Sequence, residues 1–234
     1  MGLLLLATAT LAQQQQPVEI TSEPSHHLVF ENEYVRVFDV TVAPKATTLV
    51  HRHGHDYLVV TLGDSDVINA RVGEKPVPLH LNDGEVRYTP GDFAHAATNE
   101  GDRPFHNTTI ELLQPSGKVE PCAGVCAVQH CDTSKANTCP TVLRRIVADQ
   151  WQVSLVRMPP SSRLEKHTHA LPHLVVAVSD LDLSSQTDSA TANVKKTSGG
   201  LAWVPSGVTH TLVNNSSKPA QFITLEFKQQ EPKQ

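Results

Sequence analysis

The chain has 234 residues, 39% of them hydrophobic and 18% charged, with a formal net charge of −5. This balance excludes an intrinsically disordered chain and a coiled coil. No basic run occurs anywhere, which excludes nucleic acid as a partner.

The chain opens on an apolar run, Met1 to Ala12, followed by Gln13 to Gln16. The run is too short to cross a bilayer, so no stable membrane insertion is expected. Residues 1–16 read as the remnant of a secretory signal peptide, with Thr10-Leu11-Ala12 as its cleavage site and no positive segment in front. A plain apolar tail is the alternative. Export predicts a periplasmic or secreted protein. Beyond this run, alternating apolar residues predict strands at Tyr34–Val42, Leu58–Leu62, Val67–Arg71, Val86–Thr89, Ala94–Thr98 and Asn107–Leu113.

From Gln114 to Pro140 the period disappears, and all four cysteines fall here: Cys122, Cys126, Cys131 and Cys139. An even count in an exported chain predicts two disulfides. The rival is a zinc site with His130, although the spacings do not match paired C-x-x-C knuckles. Strands resume at Trp151–Met158, Leu174–Val178, Ala202–Pro205, Thr209–Val213 and Ala220–Phe227, and no segment has a helical period.

The two halves repeat one another. Six residues separate Pro44 from His51, and six separate Pro160 from His167. The offset from His51 to His167 is 116, and from His95 to His210 it is 115. The expected fold class is therefore all-β. Two tandem jelly-roll barrels, residues 17–115 and 141–234, are joined by a Cys-containing linker at 116–140. A single large sandwich would not produce the doubled pattern.

The chain has 13 histidines, and their clustering needs a cause. Strand alternation puts His167 and His169 on one face, His173 shares their parity, and His210 arrives from a distant segment. Such a nitrogen-rich shell predicts a divalent transition metal (Mn, Fe, Zn, Cu or Ni) rather than calcium or magnesium. In the first half His51, His53 and His95 repeat the pattern, with His55 or the Tyr57 hydroxyl nearby. His26, His27, His80, His106 and His130 are assigned to the surface or to structural roles. Arg87 and Trp203 either line pockets or pack. Asn107-Thr108-Thr109 and Asn215-Ser216-Ser217 fit the short glycosylation sequon.

These motifs resemble those of the cupins, whose first motif has the form G-x5-H-x-H-x3,4-E-x6-G and whose second has the form G-x5-P-x-G-x2-H-x3-N. The second half matches the second motif from Gly199 through Pro205, Gly207 and His210 to Asn214. It matches the first motif at His167 and His169, with His173 where glutamate is usual. The first half matches at His51, His53, Gly63, Gly84, Pro90, His95 and Asn99, with Tyr57 in the glutamate slot and Asp92 in a glycine slot. The resemblance implies a bicupin. It implies a four-histidine metal set in the second barrel (His167, His169, His173, His210) and a looser set in the first (His51, His53, His95, Tyr57).

Three functions compete. The first is a dioxygenase-like oxidoreductase acting on a small oxygenated organic compound, the class that the resemblance supplies. The second is a metal-dependent lyase or isomerase, for which no base can be named because no carboxylate fills either glutamate slot. The third is a non-catalytic protein that binds metal or a small ligand. A monomer is feasible, because the barrels can pair within one chain, and a homodimer is the alternative.

Overall fold

The computed structural model describes residues 16–123, 126–129 and 139–228. The expected cleavage site, His130 and Cys131 lie outside them. In the first half β1 (Val18–Glu19), a 3-10 turn (Ile20–Ser22), β2 (His26–Glu31), β3 (Val35–Val42), β4 (His51–His53), β5 (Tyr57–Leu62), β6 (Ser65–Arg71), β7 (Val77–Leu81), β8 (Val86–Thr89), β9 (Phe93–Asn99) and β10 (Phe105–Leu112) form two sheets. Their orders are β1-β4-β9-β6-β7 and β2-β3-β10-β5-β8.

The second half holds β11 (Val119–Pro121), β12 (Ala127–Gln129), β13 (Thr141–Ala148), β14 (Trp151–Met158), β15 (Arg163–His169), β16 (His173–Ala177), β17 (Leu181–Gln186), β18 (Thr191–Lys196), β19 (Leu201–Val204), β20 (Val208–Asn214) and β21 (Ala220–Phe227). A seven-stranded sheet follows the path β11-β13-β14-β21-β16-β19, with β12 also on β13, and it faces a four-stranded sheet ordered β15-β20-β17-β18. Each half is a jelly roll, and the all-β expectation holds.

The linker does more than connect. Its two short strands, β11 and β12, both pair with β13, a strand that the sequence reading did not predict. The Cys122–Cys126 disulfide closes the loop between them. Cys139 is disulfide-bonded as well. β17 and β18 were also unpredicted: β18 reads Thr-Ala-Asn-Val-Lys-Lys and offers only Val194 to the core.

Sheet alternation explains why the strand sequences are so apolar. On β3, Phe38, Val40 and Val42 fill the first barrel, while Val35 and Val37 face outward. On β14, Trp151, Val153 and Leu155 likewise face outward. The two outward faces meet in one core that includes Leu58, Ile110, Leu174, Ile223 and Leu225, all almost fully buried. A strand covered on both faces reads as a near-continuous apolar run. Trp203 packs against this seam, stacked on Tyr34 at 5.6 Å.

The repeat is reproduced atom by atom. The side-chain amide of Asn99 donates to the carbonyls of Val42, Ala43 and Arg103, and that of Asn214 donates to those of Met158, Pro159 and Lys218. The asparagine that closes each second motif thus ties three carbonyls at a barrel corner. Asp92 and Gly207 occupy equivalent left-handed turns, with φ of 62° and 83°, which explains how aspartate substitutes for the motif glycine. Gly84 and Gly199 have positive φ and touch the opposite barrel. A Cβ on Gly84 would meet the Gln221 amide at 2.6 Å, and one on Gly199 would meet the His106 ring at 3.2 Å. Each glycine therefore sits at the equivalent place in a reciprocal contact.

Candidate metal centres

In the second barrel β15 and β20 pair antiparallel, with His167 directly opposite His210. Alternation brings His169 to the same face. His167 Nε2 lies 3.1 Å from His169 Nε2, which lies 3.2 Å from His210 Nε2. Two rings are hydrogen-bonded at the other nitrogen, and the third faces a carboxylate there. His167 Nδ1 faces the Glu165 carbonyl at 2.8 Å, His210 Nδ1 faces Ser185 Oγ at 2.8 Å, and His169 Nδ1 faces Glu226 Oε1 at 3.6 Å.

A ring that donates through Nδ1 presents a lone pair at Nε2. His167 and His169, whose Nδ1 atoms face a carbonyl and a carboxylate, therefore aim acceptor nitrogens at one another, which is repulsive unless a cation lies between them. Ligands about 2.1 Å from one ion stand about 3.0 Å apart at right angles and about 3.4 Å apart in a tetrahedron. The observed separations fall within that span, so the residues fit a bound divalent metal.

His173 stands to one side of this trio. Its ring centroid is 4.1 Å from that of His169, and it forms a second close group with His169 and Glu226. Glu226 lies directly across from His173 on β21. The sequence reading missed it because it comes from the last strand, outside both motifs. His169 beside it and the amide of Gln152 hold its carboxyl below the usual range, against the effect of burial. A cavity of about 360 Å³ opens beside the trio, within the size range of small-molecule sites.

The first barrel repeats the trio with different surroundings. His51 pairs with His95 across β4 and β9, and His53 Nε2 lies 3.1 Å from His95 Nε2. His51 Nδ1 faces the Leu49 carbonyl and His95 Nδ1 faces Asn69 Oδ1. His51 Nε2 and His53 Nδ1 are buried with no hydrogen-bond partner. A metal would satisfy the first of these, so this trio fits an ion too, but His53 lacks the carboxylate that stands behind His169.

The equivalent residues explain why. Glu111 occupies the position of Glu226 but pairs with Arg36 at 3.2 Å, where the second barrel has Gln152. Tyr57 occupies the position of His173; its ring stacks on His53 at 4.0 Å and its hydroxyl bonds to Thr89. Burial pushes the Tyr57 phenol up to about 12, so it stays protonated there. His55 is exposed.

Of its two assignments, surface or structural, His26 takes the structural one, and it lies beside the first trio. Its side chain is 5% exposed, its ring lies 4.7 Å from that of His51, and it lines the first barrel's cavity of about 100 Å³. Its Nδ1 lies 2.6 Å from Glu23. Burial raises the Glu23 carboxyl, but His26 and the amides of Ser25 and Leu49 together bring it below the usual range. Arg87 also lines this cavity, tied to Glu85. His27 and His80 are exposed, and His106 pairs with Asp39 at 2.6 Å beside the barrel seam. Asn107 is 3% exposed inside the barrel, which removes the first sequon from the surface.

Burial, reinforced by neighbouring imidazoles, lowers several histidines: His51, His173 and His210 to about 4, His95 to about 3 and His53 to about 2. They are neutral and available as ligands at neutral pH. In the unfolded chain the same rings take up protons near 6.5. The unfolded state therefore binds more protons below that value, and stability falls as pH drops from about 6.5 towards 4. Metal-free protein should lose on the order of 10 °C of melting temperature between pH 7 and pH 5. A flat melting profile over that interval would show the rings to be solvated.

Two barrels of this topology, each with a histidine trio on facing strands, are the cupin fold, present twice. No family model matches the sequence, and no curated protein matches it. Solved structures do. AerE from Microcystis aeruginosa superposes with a TM-score of 0.60 at 13% identity, over 88% of this chain and 99% of that one. A salicylate 1,2-dioxygenase from Pseudoaminobacter salicylatoxidans, in complex with gentisate, gives 0.58 at 12% identity, over 90% and 76%. An oxalate decarboxylase from Bacillus subtilis gives 0.57 at 11% identity, over 84% and 69%.

Proposed function

We propose that the C-terminal barrel is the active site of a mononuclear-metal enzyme, a dioxygenase-like oxidoreductase acting on a small oxygenated organic compound. One observation carries the reading: three imidazoles converge beside a cavity large enough for a substrate. His167, His169 and His210 would hold the metal through Nε2, with His173 and Glu226 bordering it. The metal would supply Lewis acidity and, as iron or manganese, a redox couple. Glu226 faces His169 Nδ1, and among the described residues that line the cavity its carboxylate is the one that can take a proton from a substrate hydroxyl. Two structurally similar proteins are by name a dioxygenase and a decarboxylase, which supports metal chemistry on this fold. The cystine at Cys122–Cys126 supports an exported, oxidising location.

The first barrel supports a holding role. Its trio is at most 9% exposed and its cavity is narrow.

The test is nitric oxide, a stand-in for dioxygen, added anaerobically to protein loaded with Fe(II). An open position next to the trio gives a paramagnetic iron–nitrosyl signal in the unaltered chain. Full iron content with no such signal, in either barrel, would exclude an oxygen-activating site and favour a capped, non-catalytic metal.

A further inference from the structure

We infer that Arg144 receives the carboxylate of a small acid whose apolar body lies on the floor of the C-terminal cavity. This deepens the reading above by naming the substrate class. It rests on that reading only for the metal.

The lining has two parts. Val142, Val156, Leu183, Val194, Leu212 and Phe222 make an apolar floor. The histidine trio, Glu226 and a band of Ser154, Thr224 and Gln152 make a polar side. Among the described residues that line the cavity, Arg144 is the one cation. Its guanidinium has no ion pair or hydrogen bond among the described residues, unlike Arg36 and Arg87 of the first barrel, which are each tied to a glutamate. A planar cation without a protein partner at the edge of an apolar cavity suits a carboxylate, which it can hold through two parallel hydrogen bonds. Glu226 does not compete: its oxygens face His169 and Gln152. Its strand, β21, also lies two strand spacings from β13, about 10 Å. A ligand anchored at Arg144 therefore reaches across the floor towards the trio.

The backbone holds Arg144 in place. The β13–β14 register slips between Arg144 and Ile146, a bulge that breaks strict alternation. The cystine loop grips both sides of that bulge: the Arg144 amide donates to the Cys126 carbonyl at 2.7 Å, and the Cys122 amide donates to the Arg145 carbonyl at 3.0 Å. The linker disulfide thus buttresses the residue that would recognise the acid.

Calorimetric titration with benzoate, benzamide, acetate and inorganic phosphate tests this on the full chain, metal-loaded and metal-free. Benzoate is expected to bind at least 10-fold more tightly than isosteric benzamide or floorless acetate, and more tightly than phosphate. Arg144→Gln should reduce benzoate to the benzamide level with metal content unchanged, and Arg144→Lys should recover part of the loss. Equal binding of benzoate and benzamide, unchanged benzoate affinity in Arg144→Gln, tighter phosphate binding, or no benzoate binding at millimolar concentration would each overturn the assignment. The metal-free arm keeps it separate: a chain that holds no metal but still discriminates benzoate from benzamide retains the acid site and loses only the redox reading.

Discussion

A chain carrying both His169→Ala and His210→Ala should bind one equivalent of divalent metal where the unaltered chain binds two. The arithmetic follows from the two trios. In the second barrel the double substitution leaves His167 as the last of the trio, with His173 and Glu226 grouped around the His169 position that has been removed, and one imidazole of three does not hold an ion against water. The loss in affinity should exceed the ~10–100-fold that removal of an outer-shell partner costs. The barrel itself should stay folded, because its interior core of Met158, Leu164, Leu183 and Phe222 does not include the trio. The mirror variant, His53→Ala with His95→Ala, should empty only the first barrel. Elemental analysis after dialysis reads both. Two equivalents retained in the first double variant would remove the C-terminal centre altogether. One equivalent in the unaltered chain, lost from only one of the variants, would assign the metal to a single barrel.

Trp151→Ala should destabilise the whole protein by about 3–5 kcal/mol. Trp151 is 1% exposed and stands in the core shared by both barrels, with the Tyr88 ring of the first barrel 5.7 Å away. Truncation leaves a cavity at the seam and loosens contacts on both sides of it. Chemical denaturation followed by circular dichroism should show an earlier midpoint with an unchanged slope, and one transition rather than two. Phe38→Ala is the comparison: Phe38 packs inside the first barrel only. If Trp151→Ala instead splits unfolding into two steps, or leaves the midpoint in place, the seam is not what joins the barrels energetically.

The histidines of both trios were legible because ligation constrains local sequence. An H-x-H pair on a strand must face one way, and its distant partner carries a proline–glycine turn that can be counted. The barrel strands were legible where burial on both faces makes them apolar, as in β3 and β14. Glu226, His26 and Arg144 were not, because each reaches its cavity through strand register across a long stretch of chain. The repeat offers one clue: Glu111 and Glu226 share an offset of 115, so extending the alignment to the last strand would have marked both. For Arg144 there was no comparable signal, since its strand starts beside the cysteines and is interrupted by a bulge. Gly84 and Gly199 were read as motif letters; their cause is the close approach of the opposite barrel.

That reciprocal glycine contact has the geometry of an isologous dimer, in which one surface patch meets its own copy about a two-fold axis. Two separate, identical barrels meeting this way would be obliged to carry the same residue at every equivalent place. Covalent fusion lifts the obligation. Tyrosine can then stand at 57 while histidine stands at 173, and arginine at 36 while glutamine stands at 152. A single polypeptide can divide labour between its halves without giving up the contact that holds them together.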